Sequence, residues 1–376
     1  MKKIGIIGVS GSIGKQAVRI IDMFGEMASL CFASVHRNID YAKFLLNTYP
    51  DINGIAVTSE EMPISDLGSG KVFRGKSGLK HLIESSRPDL IIFAVPGSSM
   101  IDIFLFILER GIRVASANKE VFTSAGSLIS PYIKAGMVLP VDSEQSAIFQ
   151  ALQSGGRDEI SRIILTCSGG PFLGKSSRDL KGICPEDALT HPKWNMGQKV
   201  TLDSATLMNK ALELIEASVL FDVPHSRIDV LVHPEVFVHS MVEFCDGNII
   251  MQAGKADMSV PIQYAISYPE RWNNNGNKIK KFPKGMTFFD VDYETFTSIP
   301  TARRALDKGG SALTVFDYAN ELMGRLFLEG KTGFLDIMNV VNLLVEKHRP
   351  MPIKTVQDVY NARHWVCREI DSIVKL

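Results

Sequence analysis

Neither sign of charge is in excess in this 376-residue chain, where 41 Lys and Arg balance 41 Asp and Glu. With no net field there is no general attraction to nucleic acid or to an anionic membrane, so any anionic ligand must be held by a local site. Paired cysteine is also missing. Cys31, Cys167, Cys184, Cys245 and Cys367 are scattered, odd in number and never spaced Cys-x-x-Cys. That excludes an obvious zinc module or disulfide framework and fits a reducing cytoplasm. Long apolar runs are lacking too: residues 90–95 are too few to cross a bilayer, and residues 101–108 are stopped by Glu109 and Arg110. No membrane span is expected. The start, Met1-Lys2-Lys3-Ile4-Gly5-Ile6-Ile7-Gly8, is basic and then apolar, but it reaches glycine too early for a signal peptide and reads as a first β-strand. What is present, 45% hydrophobic and 22% charged residues, is enough to bury a sizeable core in two or three domains of a globular enzyme.

Up to about Asp142, short β-branched runs alternate with helical stretches, at residues 4–7, 30–33, 54–57, 90–95, 113–115 and 137–141. This pattern predicts an α/β fold whose residues 1–142 form a Rossmann-like, doubly wound parallel sheet. From Arg162 the texture changes, with strands expected near residues 163–166, 229–232 and 237–244 and a helix near 207–220. A central α+β domain over residues 143–267 follows from it. Residues 268–299 include the polar, turn-rich Asn273-Asn274-Asn275-Gly276-Asn277-Lys278 and read as a connection. Helical spacing in residues 319–327 and 334–345 predicts a small helical C-terminal domain over residues 300–376.

Gly8-Val9-Ser10-Gly11-Ser12-Ile13-Gly14 lies between the first strand and a helix expected near Lys15. Its glycines let backbone N–H groups approach a pyrophosphate at the positive end of that helix. The spacing, G-x-x-G-x-x-G, differs from the usual dinucleotide fingerprint, and a plain tight turn is the alternative. Near the end of the second strand, where NAD enzymes offer a carboxylate to the ribose, this chain has Ser34-Val35-His36-Arg37-Asn38. An arginine without a carboxylate favours a 2′-phosphate, hence NADP, against the alternative of a solvated basic loop.

Val141-Asp142-Ser143-Glu144 follows a strand and precedes a helical stretch from Gln145, which places two carboxylates at a strand's carboxyl end. On an extended segment they point the same way, and oxygen donors without nearby cysteine suit Mg²⁺ or Mn²⁺. Taken alone they could equally cap a helix. A third carboxylate comes from a helix expected to be capped by Asp203 or Ser204, on which Asn209 and Glu213 share one face beside Lys210. Ser204 at that helix start would suit an anion. An ordinary Lys-Glu surface pair is the alternative. Thr166-Cys167-Ser168-Gly169-Gly170-Pro171-Phe172 reads as a strand leaving into a tight loop that could bind phosphate or merely turn. His191-Pro192-Lys193-Trp194-Asn195-Met196-Gly197 combines a titratable His, a large aromatic and a Gly, a composition suited to a lid, although a lone His is more often structural.

These segments, together with Ala117-Asn118-Lys119-Glu120, His233-Pro234-Glu235 and His239-Ser240-Met241-Val242, resemble the 1-deoxy-D-xylulose 5-phosphate reductoisomerase family over nearly the whole chain. The resemblance implies that Asp142, Glu144 and Glu213 hold one Mg²⁺ or Mn²⁺ and that Lys119 and Ser143 touch the substrate's oxygen functions. Ser168, His191, Ser204, Asn209 and Lys210 would complete the substrate pocket, with Lys119, Asp142, Glu144, His191 and Glu213 carrying catalysis. NADPH would be met by Ser10, Gly11, Ser12, Ile13, His36, Arg37, Asn38, Asn118, Glu120 and Gly197. Ser10 stands where the family more often has Thr, His36 where Gly is common and Arg37 where Lys is common, so the adenosine-phosphate contact departs in detail.

The implied reaction is rearrangement of the sugar phosphate to a branched aldehyde, then hydride delivery from NADPH to give 2-C-methyl-D-erythritol 4-phosphate, an isoprenoid precursor. The expected partner is that small sugar phosphate, with no nucleic acid and no membrane, in a cytoplasmic homodimer dimerising through residues 143–267. Two other readings compete: an NADP-dependent semialdehyde or hydroxy-acid dehydrogenase with structural carboxylates, and a silent dinucleotide sensor.

Overall fold

The computed structural model describes residues 1–64, 67, 70–190 and 197–374. Its contacts group the chain into two compact units. The first comprises Met1–Asn118, Pro131–Ser146 and Asp257–Asn277, and the second Lys119–Ser130, Ala147–Ala256 and Lys278–Leu376.

In the first unit the seven strands are β1 (Lys2–Ile7), β2 (Ala28–Val35), β3 (Gly54–Val57), β4 (Val72–Arg74), β5 (Leu90–Phe93), β6 (Arg113–Ser116) and β7 (Val138–Pro140). They form one sheet in the order β4-β3-β2-β1-β5-β6-β7, with every pairing parallel. The chain therefore winds outward one way through β2 to β4 and the other way through β5 to β7. That is the expected doubly wound α/β fold, and its topological switch lies at the carboxyl ends of β1 and β5, where such sheets bind ligands. All four residues of β3 and of β5 are buried, which is why these segments read as continuous apolar runs and not as alternating ones. Amphipathic helices cover the sheet, among them Ser12–Met23, whose buried positions Gly14, Ala17, Val18, Ile20 and Ile21 fall at helical spacing.

One segment of this unit comes from far along the chain. Helix Ser259–Ser267 belongs to it, and the Lys2 ammonium donates to the carbonyls of Ile266, Ser267 and Tyr268 at 3.0, 3.1 and 2.9 Å. A cation at a helix's C-terminal end satisfies carbonyls that have no intrahelical partner. The linear spacing put residues 257–277 partly in the central block and partly in a connection, and so differs from the contacts, because this tie bridges over 260 positions of sequence.

The second unit holds β8 (Ile160–Cys167), β9 (Ile228–Val232), β10 (Val238–Phe244), β11 (Ile249–Ala253) and β12 (Phe289–Asp290) in the order β11-β10-β8-β9-β12. Only the β8–β9 pairing among them is parallel. Helices Gln198–Ala205 and Met208–Phe221 are followed, after the strands, by Ser298–Lys308, Ser311–Leu328, Phe334–Lys347 and Val356–Val374. The helical C-terminal part is thus as expected in kind, with the first and last of these four helices beyond what the spacing indicated. Among the described residues no helix is long and apolar enough to cross a membrane.

Candidate active site

The glycine-rich turn leaves β1 through Gly8, whose N–H donates to both the carbonyl and the hydroxyl oxygen of Ser34 at 3.2 Å. Gly11 is then the N-cap of helix Ser12–Met23, whose first turn has no carboxylate. Gly14 is required by packing: a Cβ there would lie 2.5 Å from Val9 Cα and 2.6 Å from the Gly8 carbonyl. The helix N-terminus, with Ser10, Gly11, Ser12 and Ile13, is consequently held tight on the strand end, and the first-turn N–H groups, which have no intrahelical acceptor, suit a pyrophosphate. The helix starts at Ser12, three residues before the position expected.

After β2, Arg37 is 65% exposed with its guanidinium 3.7 Å from Glu61. The His36 imidazole meets Thr58 at 3.1 Å, and Asn38 accepts from Tyr41 N–H at 3.0 Å as the N-cap of helix Ile39–Thr48. Asn118 is fully buried and donates its amide to the carbonyls of Val95 and Gly97 at 2.5 and 2.7 Å, just beyond the end of β5. Asn118 thus ties the loop after β5 to the end of β6.

Asp142 follows β7, and its carbonyl accepts from Ser146 N–H at 2.8 Å, so helix Ser143–Ala151 begins at once. Here the expected geometry is corrected. Glu144 lies in the first turn of that helix and not on an extended segment, because the helix starts two residues earlier than Gln145. Its carboxylate accepts a short hydrogen bond from the Ser143 hydroxyl. Both carboxylates still sit at the carboxyl end of a strand.

A second correction concerns Asp203 and Ser204. Neither starts a helix: both lie in the last turn of Gln198–Ala205, and Leu207 adopts a left-handed conformation (φ 55°) before Met208–Phe221 begins. The two helices therefore meet at a break, and the anion argument from a helix start does not apply to Ser204. Gly170, itself at φ 69°, packs so close that a Cβ would be 2.6 Å from the Ser204 carbonyl, which brings the Ser168 loop against Ser204. Ser168 Oγ accepts from Gly170 N–H at 3.3 Å.

On Met208–Phe221 the predicted face is present, but it is not a surface pair. Glu213 is 1% exposed and Lys210 2%. The Glu213 carboxylate accepts from Asn209 at 2.6 Å and from Lys210 at 2.5 Å, and Lys119 Nζ lies 3.7 Å away. A buried carboxylate is stable only with such donors around it. His191 and Trp194 lie outside the described residues; Gly197 is the N-cap of Gln198–Ala205.

Sequence reasoning missed Lys199. Its ammonium lies 2.8 Å from Asp203 and 3.1 Å from Glu120, and Asp203 also accepts from the Asn320 amide at 2.8 Å. Close by, Ser124 donates to the carboxyl of buried Asp317 at 3.0 Å. Burial pushes Glu120 up, but the Lys199 ammonium, a backbone hydrogen bond and the Lys119 charge together outweigh it and leave the carboxyl below the ordinary range. Burial likewise opposes the charge on Lys199, yet Asp203, Glu120 and Asp317 hold it well above its usual value. Asp317 is pushed well up, by burial first and then by Glu120. The one local signal was Lys199 and Asp203 four apart on a helix, which normally marks a solvated pair.

Residues 4–126 match the family described as 1-deoxy-D-xylulose 5-phosphate reductoisomerase, and residues 138–221 and 253–369 match its C-terminal domains. The chain belongs to the 1-deoxy-D-xylulose 5-phosphate reductoisomerase family. It is 39% identical over 370 residues to the reductoisomerase of Thermoanaerobacter pseudethanolicus, with 96% of each covered. With that of Symbiobacterium thermophilum it shares 40% over 377 residues and 97% of each. A solved reductoisomerase from Zymomonas mobilis in complex with NADPH superposes with a TM-score of 0.91 at 32% identity over 99% of both chains. A reductoisomerase structure in complex with NADPH, fosmidomycin and magnesium also gives 0.91, at 28% identity over 100% of this chain and 99% of that one.

Proposed function

We propose that this chain converts 1-deoxy-D-xylulose 5-phosphate to 2-C-methyl-D-erythritol 4-phosphate with NADPH and a divalent cation, in isoprenoid-precursor synthesis. The observation that carries the reading is buried Glu213 held by Asn209, Lys210 and Lys119, in a chain related to reductoisomerases over nearly its whole length. Such a set has no use in a dinucleotide sensor.

Asp142, Glu144 and Glu213 are proposed as the ligands of one Mg²⁺ or Mn²⁺. All three are hard oxygen donors, as those ions require, and no Cys or His enters the set. When bound, the cation supplies a Lewis acid that polarises a carbonyl and stabilises developing negative charge, and NADPH supplies hydride. The protein's own part is orientation. Asn209 and Lys210 fix the Glu213 carboxylate, while Lys119 and Lys210 offer ammonium groups to substrate oxygens. Ser143, Ser168, Ser204 and His191 are assigned to the substrate as well. Ser10, Gly11, Ser12, Ile13, His36, Arg37, Asn38, Asn118, Glu120 and Gly197 are assigned to NADPH. The helix N-terminus at Ser12 would take the pyrophosphate and Arg37 the 2′-phosphate.

NADPH oxidation in the presence of 1-deoxy-D-xylulose 5-phosphate, with and without Mg²⁺ or Mn²⁺, tests this directly. Turnover that survives EDTA would favour an NADP-dependent semialdehyde or hydroxy-acid dehydrogenase instead. A homodimer and a cytoplasmic location complete the proposal. Edge strand β11 leaves Ile249, Ile250 and Met251 exposed at 44%, 36% and 45%, as an edge awaiting a partner strand does, and the five free cysteines suit a reducing compartment. Sedimentation of the purified chain as a monomer at micromolar concentration would remove the dimer.

A further inference from the structure

Helix Lys119–Lys134 has two tasks at its first turn. Lys119 reaches toward Glu213, while the next residue, Glu120, turns to Lys199 on Gln198–Ala205. Two other helices converge on the same point. Asp203 takes Lys199 from within its own helix, Asn320 on Ser311–Leu328 takes Asp203, and Ser124 joins Asp317 of that same helix to the second turn after Lys119. Farther along, Gly126 lies against Val219 of Met208–Phe221, where a Cβ would be 3.1 Å from its methyl groups. Adjacent residues on a helix point about a quarter-turn apart, so fixing Glu120 fixes the direction in which Lys119 leaves.

We propose that Lys199 is a positioning residue for the reaction: by holding Glu120 and Asp203 together it sets the first turn of helix Lys119–Lys134 and thereby the place of the Lys119 ammonium beside Glu213. The assignment rests on the reading of Lys119 and Glu213 as site residues. Lys199 itself touches no residue of the Glu213 set in the contacts described above; its action runs through the Glu120 backbone. The arrangement has a physical cost that only a positional task offsets. Three carboxyl groups, Glu120, Asp203 and Asp317, are buried around one ammonium, and the second Asp317 oxygen has no hydrogen-bond partner among the described residues. An apolar cluster would be as stable or more so at less risk.

The test uses the whole 376-residue chain in Lys199→Met, Lys199→Arg and Lys199→Gln forms. Lys199→Met should lower kcat by about tenfold or more, as a displaced catalytic group does. NADPH affinity should stay within about threefold of wild type, since Lys199 itself is assigned no contact with NADPH and Glu120 keeps its carboxylate. Lys199→Arg, whose fork spans two carboxylates, should recover most of the loss. A merely structural lysine would lower thermal stability without this split between kcat and NADPH affinity. If Lys199→Met does not accumulate folded, Lys199→Gln carries the test, since its shorter, neutral side chain cannot hold both Glu120 and Asp203. Wild-type kcat in a folded Lys199→Met or Lys199→Gln enzyme overturns the proposal. Lys119→Ala and Glu213→Gln run alongside: if they too keep full turnover, the site reading fails; if they lose it while Lys199→Met does not, only the positioning role fails.

Discussion

The first unit keeps its candidate cofactor-side charge at the rim, whereas the second keeps its candidate substrate-side charges inside: the Arg37 side chain is 65% exposed beside Glu61, while the side chains of Lys210 and Glu213 are 3% and 1% exposed beside each other. In the first, the sheet is apolar and the ligand-facing surface is mostly backbone, the turn of Gly8 to Gly14 and the end of a helix. In the second, Glu120, Asp203, Lys210, Glu213 and Asp317 are all buried. Backbone N–H groups bind an anion without being titrated or repelled by neighbours. Buried side-chain charges depend on one another, because each lost partner leaves an ion in a medium of low dielectric. A mutation should therefore be read out differently in the two units, by packing in one and by chemistry in the other.

The strongest way to break this contrast is Glu213→Gln. Its shape is retained, so the fold should persist, but turnover with 1-deoxy-D-xylulose 5-phosphate should fall by about 100- to 1,000-fold, the scale of removing a group that stabilises transition-state charge. NADPH affinity, measured by fluorescence titration, should hardly move. Near-wild-type turnover at limiting Mn²⁺ would take Glu213 out of the metal set. The matching change in the first unit is Gly14→Val. Its added atoms meet Val9 Cα and the Gly8 carbonyl, which are backbone and cannot swing aside. A stability loss of about 1–3 kcal/mol is expected from such overpacking, with weakened NADPH binding as the turn shifts. An unchanged Tm would mean the turn is less constrained than its contacts suggest.

The pH dependence sharpens the comparison further. Asp317 is pushed well above its usual carboxyl range, by burial first and by Glu120 second. Folded protein then keeps a proton that unfolded chain releases once pH exceeds the ordinary aspartate value. Stability from this group is complete below that value and declines as pH rises, by at most about 1.4 kcal/mol per pH unit, until the folded carboxyl ionises. Glu120 has the opposite sign: its lowered pKa gives stability that is present above the ordinary glutamate range and lost as pH falls through the folded value. Asp317→Asn should remove the first slope, so that its Tm relative to wild type climbs as pH rises above the ordinary aspartate value. Parallel Tm curves for the two proteins would show that Asp317 is ionised in the fold.

How much of this was legible in the sequence also differs between the units. Six strands of the first sheet could be read from β-branched runs, because strands buried on both faces are apolar throughout. β4 was not, being three residues long and half exposed at the sheet edge. β11 and β12 escaped for the same kind of reason, as exposed edge strands without alternation. The Asn209–Glu213 face was legible from its spacing, but its burial was not, since Lys and Glu are normally on surfaces. The helix break at Leu207 has no glycine to announce it. The Glu120, Lys199, Asp203 and Asp317 cluster spans nearly 200 positions, and only the tertiary fold brings its members together. Asn118, Lys119 and Glu120 stood out through family resemblance and not through any local pattern.

The smallest expected effect is at Arg37, and it tests the rim directly. Its ionic partner among the described residues is Glu61, 3.7 Å away and 84% exposed, and an exposed pair of that kind contributes about 0–1 kcal/mol to stability. Arg37→Glu should accordingly leave Tm almost unchanged. Cofactor choice should still respond, because a carboxylate repels a 2′-phosphate and can accept from a ribose hydroxyl. We expect the ratio of kcat/KM for NADPH over NADH to fall by about tenfold, equivalent to about 1.4 kcal/mol of discrimination. Glu61→Gln provides the control: it removes the competing carboxylate, so NADPH affinity should rise slightly and more at low salt, where exposed charges are less screened. If Arg37→Glu changes neither the cofactor ratio nor the salt dependence of NADPH binding, Arg37 is a solvated basic residue, and discrimination must come from His36, Asn38 or the shape of the turn. If instead it unfolds the protein, the first unit relies on a surface charge as the second relies on its buried ones, and the contrast between them fails.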